Sequence, residues 1–555
     1  MYVYEKHEAP RLSWKSELKN HRLYTSNILR TMSTILALLP WMAAVGLLGG
    51  IYYVWYRVFS YQGIPTSLAF ANSDGSFFSR GRASLGSVFE VNTLLWAGHR
   101  DYSKKGRPYI LPDIFTGHQV ILPPENLPWL MKQPANVLSQ RESNNEFLAA
   151  KHTFLNCVAA EDSEWTFVVN LIKDITKELN NKTNDVIQEI QAALEDLWGN
   201  DTTNWTQVEL LDVCLELMSR IVSRMYVGLP LCRDPKYLAS STHFAKFILV
   251  EALLAQLTPK PLRPLLGPLL AQYDWMQFKR MDRCVNPIIQ ERARRFGRMD
   301  NEEKKDPDQP SDLLSRLMQE AYRRNDDPCR SQSHSSKLLA ILNWAAIQVQ
   351  GITLENVLID IAHSPQSASI QDQLREEATN ADNADPSSRW TRAEVAKLPK
   401  MDSVMTESLR LWGFAHGIIK VVVAKDGVDL PTGEHIPYGA KIGIGSYGLH
   451  HDAEVYPGES PFSFDPFRFL DEKTEAQTTG LKFAATSDTY LAFSHGRYAC
   501  AGRFFANHLL KLLLSQIVMR YDIKPDADPR PQNPWFSYVS PPPIGYKLTV
   551  RRRKQ

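Results

Sequence analysis

The sequence predicts a mainly α-helical protein with small β-sheets, preceded by one N-terminal transmembrane helix. Three observations carry that expectation. Apolar residues recur at helical spacing from about Glu142 to Arg298, from about Lys337 to Ala362, and again beyond Cys500. Strand-like runs are short and confined to "YILPDIFTGHQVIL" and "GIIKVVVAKDGVDLPTGEHIPYGAKIGI". The stretch "TMSTILALLPWMAAVGLLGGIYYVWY", Thr31 to Tyr56, holds no charged residue.

Of these three, that stretch lies nearest the N-terminus. Its 26 residues exceed the ~20 that span a bilayer. Arg30 and Arg57 flank it, and Tyr52, Tyr53, Trp55 and Tyr56 suit a membrane interface. About 30 mostly polar residues precede it, which argues against a cleaved signal peptide. Basic residues stand on both sides, so charge alone does not set the orientation.

The remaining composition is that of a globular protein: 44% apolar and 22% charged residues in a chain of 555. A net charge of +2 gives no bulk attraction for nucleic acid. The six cysteines, Cys157, Cys214, Cys232, Cys284, Cys329 and Cys500, form no CxxC pair. Reduced thiols in a cytosol-facing domain are therefore expected. Glycosylation sequons at Asn181, Asn200 and Asn204 matter only if that region faces a secretory lumen.

Along the chain, "SDGSFFSRGRASLG" reads as linker. The Thr-Gly-His turn within the first β-rich run reads as a hairpin, with helix starting near Leu127. The long helical region breaks at "GLPLCRDP" and "TPKPLRP". Charged surface loops follow at "RMDNEEKKDPDQPSD" and "ATNADNADPSS". Between them lies a long helix ended by Pro365. The helix holding "MTESLRL" leads into the second group of strands, and the chain then reads as irregular up to Cys500.

The loop "AFSHGRYACAG" carries the chemistry. Gly496 and Gly502 permit a left-handed turn and close approach of a flat ligand. Cys500 is expected at the start of a helix running to about Met519, where free N–H groups and the positive dipole end favour a thiolate. Such a thiolate suits a nucleophile or a metal ligand, and a buried structural cysteine is the alternative. No second cysteine is near, so zinc and iron–sulfur sites are disfavoured. One axial ligand to a heme iron needs one cysteine only.

At this point the chain resembles the cytochrome P-450 enzymes. Phe493, Gly496, Cys500 and Gly502 match their Phe-x-x-Gly-x-x-x-Cys-x-Gly heme loop. Glu407 and Arg410 match their Glu-x-x-Arg at i, i+3 of one helix, and Arg468 in "FDPFRF" matches the Arg that closes a buried three-residue network. "HHDAEVYPG" is similar too. "YVGLPLCRDP" and "LPPENLPWLMKQP" resemble filamentous-fungal microsomal members of secondary metabolism.

The resemblance implies the cytochrome P-450 fold, heme b with Cys500 as axial iron ligand, and an NADPH-cytochrome P-450 reductase as partner. It implies oxidation of an apolar small molecule by dioxygen, at an endoplasmic reticulum membrane with the catalytic domain facing the cytosol. Residues 1–30 would be a tail, 31–57 the anchor, 58–100 a linker and first helix region, and 101–555 the catalytic domain. Tyr498 stands where the family often has a basic residue, and Arg497 is one step early; these and Lys420 are expected near heme propionates. Arg497, Arg503 and Lys511 are candidates for a positive reductase-docking face. Ala346, Val349, Phe414, Ile418 and Phe536 are expected to line the substrate pocket.

One departure stands out. The helix crossing the heme should carry an acid–alcohol pair that relays protons to the dioxygen being cleaved. Here Val349 takes the acid position and Gln350 the alcohol position, with Thr353 one turn on. A carboxamide can hold a water but cannot titrate as a carboxyl does. Either Gln350 orders a water chain and oxygen chemistry proceeds, or the reaction shifts toward phenol coupling or rearrangement without oxygen insertion. Gln350 and Thr353 are the candidate catalytic residues.

Overall fold

The computed structural model describes residues 44, 46–153, 155, 162–296, 311–323, 328–383, 390–470, 482–537 and 539–554. The tail 1–30 and most of the expected anchor lie outside the described residues. Contacts divide the chain into two units, residues 1–60 and 61–555. In the first, residues 46–59 are helical. Leu47, Leu48, Ile51, Tyr52, Val54 and Trp55 are all exposed there.

The second unit begins earlier than the sequence suggests. The stretch read as linker is a helix, α1 (Phe77–Gly86), because the Ser76 side chain accepts the Ser79 N–H and caps its first turn. Serine and glycine composition hid that cap. Helix α2 (Val91–Asp101) follows, with Leu94 and Leu95 buried. The Ala71 N–H donates to the Ile110 carbonyl at 2.9 Å, and residues 61–100 group by contacts with the rest of the second unit.

Two strands, β1 (Tyr109–Leu111) and β2 (Gln119–Ile121), form the expected hairpin, with Tyr109 opposite Ile121. Helix α3 (Leu127–Lys132) starts where expected. With β3 (Leu138–Ser139), β5 (Gly417–Val422) and β8 (Lys441–Gly445) they make a five-stranded sheet ordered β1-β2-β8-β5-β3. β2 and β8 pair in parallel, and β5 and β8 antiparallel. Ile110, Val120, Ile418, Ile442 and Ile444 share one buried cluster of this sheet. The short pair β6 (Val428–Asp429) and β7 (His435–Ile436) lies between β5 and β8 in sequence. A second sheet, β4 (Thr206–Glu209), β10 (Lys547–Arg552) and β9 (Tyr521–Pro525), carries strands that the periodicity did not mark.

The helical body consists chiefly of α5 (Asp162–Trp198), α6 (Leu210–Tyr226), α7 (Pro235–Leu257), α9 (Gln272–Phe296), α11 (Pro328–His363), α12 (Ser367–Asn383), α14 (Pro399–Trp412) and α16 (Arg503–Arg520). α8 (Arg263–Leu270), α10 (Leu313–Arg323), α13 (Arg392–Ala396) and α15 (Ser446–His450) are shorter. α4 (Gln140–Phe147) precedes them all. Leu179 and Ile190 of α5, Leu217 and Ile221 of α6, Leu358 of α11 and Leu513 of α16 fill one core. Gly351 lets α11 approach α6 closely: a Cβ there would sit 2.8 Å from Leu215 Cδ2. α7 and Ser333–His363 of α11 are long and apolar enough to cross a membrane; Ile347 and Leu358 bury α11 in this core, whereas α7 buries one face through Phe244 and Ile248 and exposes Phe247, Val250 and Leu254.

Candidate active site

The cysteine loop joins the irregular chain that follows α15 to α16. The Cys500 N–H donates to the Phe493 carbonyl at 2.9 Å, which closes the loop on itself. Gly496 has φ +59, the left-handed turn expected of it. Gly502 does not: its φ is −82, and it serves instead as N-cap of α16. Cys500 thus lies before the helix rather than in it. The N–H groups of Gly502 and Arg503 point at its sulfur. Although Cys500 is exposed at the surface of the loop, the protein packed around its sulfur pushes the thiol up, and these N–H groups and the Arg503 charge act in the opposite direction. A bound metal cation would deprotonate the sulfur. Among the described residues Cys214, Cys232, Cys284 and Cys500 are free.

Two cations meet at one ring two residues away. Lys420 Nζ stands 4.4 Å from the Tyr498 centroid, and Arg497 Cζ 4.8 Å from it. Each is also held by a carbonyl at the end of α3. Lys420 Nζ donates to Leu130 O at 2.7 Å, and Arg497 Nη2 donates to Gln133 O at 2.6 Å. Lys420 is buried, and burial, helped by the Arg497 charge, lowers its pKa to about 8. An anionic group would relieve that concentration of positive charge.

Glu407 and Arg410 pair through two bonds of 2.7 Å within α14, both fully buried. Arg468 Nε donates to the same carboxylate at 3.1 Å, and the Asp465 N–H at 3.2 Å. Arg410 Nη1 also donates to the carbonyls of His450 and Pro461. The local Glu407–Arg410 pair and Arg468, 61 residues beyond Glu407, form one network. Sequence reasoning missed its continuation, His450, which bonds Arg410 and Leu491. "HH" in "HHDAEVYPG" was the available signal.

Lys511 does not belong to a docking face. It is 1% exposed, and its Nζ donates to Asp402 at 2.6 Å. Its charge joins α16 to α14, and Asp402 also accepts the Phe483 N–H at 2.6 Å. Arg503 is partly committed as well, donating to Ala484 O at 3.0 Å and Cys500 O at 2.7 Å.

On α11, Thr353 donates its hydroxyl to Val349 O at 2.8 Å. Gln350 is buried, and its Oε1 has no hydrogen-bond partner among the described residues. Val349 is half-buried, and Ala346 is buried in the helical core. Phe414 and Phe536 are half-buried on chain segments that pair with each other: Ala415 bridges Val539, and the Ser540 N–H donates to Phe414 O at 3.1 Å. Ile418 instead packs into the sheet core.

A closed cysteine loop, a buried Glu-Arg-Arg network tied through His450 to the chain before it, and a long helix with a buried amide oxygen lacking a partner among the described residues together fit a heme-thiolate enzyme. Residues 156–550 match the pattern of the family described as cytochrome P450. Cytochrome P450 monooxygenase polB of Polytolypa hystricis is 31% identical over 91% of this chain and 96% of its own length. Cytochrome P450 monooxygenases pbrC of Penicillium brasilianum and astC of Aspergillus terreus are both 27% identical, over 91% and 92% of this chain and 95% and 97% of their own. The chain belongs to the cytochrome P450 family and is a heme-thiolate monooxygenase.

Proposed function

We propose that this monooxygenase binds heme b through Cys500 and oxidises an apolar small molecule of fungal secondary metabolism, a terpenoid, polyketide or alkaloid. The observation that carries the reading is the pairing of a sulfur met by two backbone N–H groups with two cations crowded on Tyr498. Those N–H groups steady a metal-bound thiolate, and Lys420 and Arg497 suit the propionates of a macrocycle. When bound, the heme supplies the reductive activation of dioxygen.

The chain's own part is positioning. Phe493 and Gly496 shape the loop, and Glu407, Arg410 and Arg468 hold it from behind. Ala346, Val349, Phe414 and Phe536 form apolar walls, with Ile418 supporting them from the sheet. Gln350 holds a water for proton delivery. A reduced, carbon-monoxide-bound spectrum of the protein and of Cys500→Ser tests the reading: a thiolate-type Soret band in the first alone is expected, and the same spectrum in both would end it.

Residues 31–57 are read as a single-pass anchor to the endoplasmic reticulum, with the domain on the cytosolic side beside an NADPH-cytochrome P-450 reductase. The helix at 46–59 supports this: it holds no charge before Arg57, and Leu47, Leu48, Ile51, Tyr52, Val54 and Trp55 are exposed on it.

A second reading is favoured by one observation. Thr353 has its proton committed to Val349 O, and Gln350 does not titrate, so acid is scarce at the dioxygen site. Phenol coupling or rearrangement without oxygen insertion would then be the reaction. Tight coupling of NADPH use to an oxygenated product would exclude it.

A further inference from the structure

A buried polar cluster lies where three parts of the fold meet, and none of the motifs above accounts for it. Its centre is Arg530, in the connection between β9 and β10. Arg530 Nε donates to Asp360 Oδ1 at 2.7 Å, and Nη2 donates to Asn356 Oδ1 at 3.2 Å. Both acceptors belong to α11. Nη1 donates to Pro531 O at 2.9 Å and Asn533 Oδ1 at 3.3 Å, within the connection itself. The guanidinium carbon lies 3.8 Å from the ring centroid of Trp412, at the end of α14. Trp412 Nε1 donates to Asp360 Oδ1 at 3.0 Å, and Ser408 Oγ to Asp360 Oδ2 at 2.6 Å. Asn533 Nδ2 donates to Asn356 Oδ1 at 3.1 Å. Asp360, Asn356 and Asn533 are each less than 5% exposed.

The position of the cluster gives it meaning. Val349, Thr353, Asn356 and Asp360 are spaced i, i+4, i+7 and i+11, one stripe of α11. Asn356 is seven residues beyond Val349, about 10 Å along the axis. The other end of the connection is fixed too. Val539 and Ser540 bond to Ala415 and Phe414, and Ser537 Oγ donates to Asp113. Between the two fixings stand Trp535 and Phe536. A planar fork that bonds α11, bonds its own loop and stacks on a ring holds one placement, which a flexible ammonium does not.

We propose that Arg530 is a positioning residue for the pocket wall: by fixing residues 529–540 to the Val349 stripe of α11, it sets which ligand shapes the site accepts. The inference rests on the reading of Phe414 and Phe536 as pocket walls. It assigns to Asp360, Asn356 and Trp412 the supporting role. Arg530 itself touches no reacting atom.

The test uses two heme ligands of different size on the full-length holoprotein, imidazole and 4-phenylimidazole. Both need the iron, and only the second needs the wall. In Arg530→Lys the carbon-monoxide spectrum and imidazole Kd are expected within twofold of the original, with the 4-phenylimidazole Kd changed at least fivefold. Amide hydrogen exchange across 533–540 is expected to speed up about tenfold, and exchange in α16 to stay as it was. Unchanged Kd for both ligands with unchanged exchange would overturn the proposal, as would equal changes for both ligands. If Arg530→Lys does not fold, Asn533→Ala carries the test, since it removes loop bonds but leaves the Asp360 ion pair; the same two outcomes decide. Loss of the thiolate-type spectrum from the unaltered protein would be a failure of the heme reading, not of this one.

Discussion

The Nε2 of His450 accepts the backbone N–H of Leu491 at 3.0 Å. A backbone N–H only donates, so the ring proton sits on Nδ1 and is donated to Arg410 O at 3.2 Å. Burial, with His451 and Arg410 nearby, lowers the His450 pKa to about 3, so the ring is neutral. The Glu407–Arg410 pair is thereby linked to the chain nine residues before Cys500.

His450→Phe keeps a ring and removes both bonds. Leaving the buried Leu491 N–H without a partner costs about 1–3 kcal/mol. The expected outcome is a lower Tm and faster loss of the thiolate-type carbon-monoxide band on warming. A variant as heat-resistant in that band as the original would show that His450 does not support the loop.

Lys511→Met leaves Asp402 buried and uncompensated, so a loss of about 3–5 kcal/mol is expected on denaturant unfolding. Asp402→Asn combined with Lys511→Met is expected to recover most of it, because Asn still accepts the Phe483 N–H. Reductase affinity of the double variant should match the original, since Lys511 is not on the surface. A tenfold weaker reductase Kd would return Lys511 to the docking face.

How far the sequence reaches depends on the range of the physics. The loop around Cys500 and the Glu407–Arg410 pair are local, so their spacing reveals them. The hairpin at Tyr109–Ile121 is local as well. Lys511 is different. Its neighbours on α16 are Leu510 and Leu512, and nothing nearby in sequence announces that Asp402, on another helix, neutralises it. His450, Arg530 and strands β4, β9 and β10 likewise gain their meaning from partners far along the chain. α1 was missed for a short-range reason, the Ser76 cap hidden in a Ser/Gly-rich stretch. The left-handed role expected of Gly502 rests on composition, which shows that glycine permits one, not that the fold uses it.

Lys420→Met and Arg497→Gln each remove one cation from Tyr498. Heme is expected to leave both variants faster, by tenfold or more in transfer to an apoglobin acceptor, with the fold intact by circular dichroism. Lys420→Met has the larger effect, since its ammonium is buried and Arg497 is exposed. Equal heme loss rates in the variants and the original would remove these cations from the propionate site.

Glu377 supplies the pH prediction. Its carboxylate accepts the N–H groups of Lys400 at 2.7 Å and Met401 at 3.0 Å, capping α14 from α12. Burial nevertheless raises its pKa to about 7. A carboxyl that binds its proton more tightly folded than unfolded stabilises fully below the unfolded value, roughly 4.3, and loses that stabilisation as pH rises to about 7. Glu377→Gln should flatten this part of the stability profile. The variant gains relative to the original from pH 5 to pH 8, by up to about 3 kcal/mol. Parallel Tm profiles across that window would refute the assignment.

Gln350 and Thr353 separate on one contrast. Thr353 donates its only hydroxyl proton to Val349 O, a bond internal to α11. Thr353→Val should therefore leave the coupling of NADPH to product within twofold. Gln350 keeps a buried Oε1 that no described residue satisfies, so a water held there is the natural partner. Gln350→Leu removes that acceptor at similar volume. Positioned proton transfer contributes roughly 10²–10⁴-fold to a rate when the donor titrates itself. A residue acting through a water should contribute less, and a loss of about tenfold in coupling is expected, with the electrons appearing as peroxide. Substrate affinity should not move. The reverse ranking, Thr353→Val uncoupled and Gln350→Leu unaffected, would transfer the proton-delivery role to the hydroxyl.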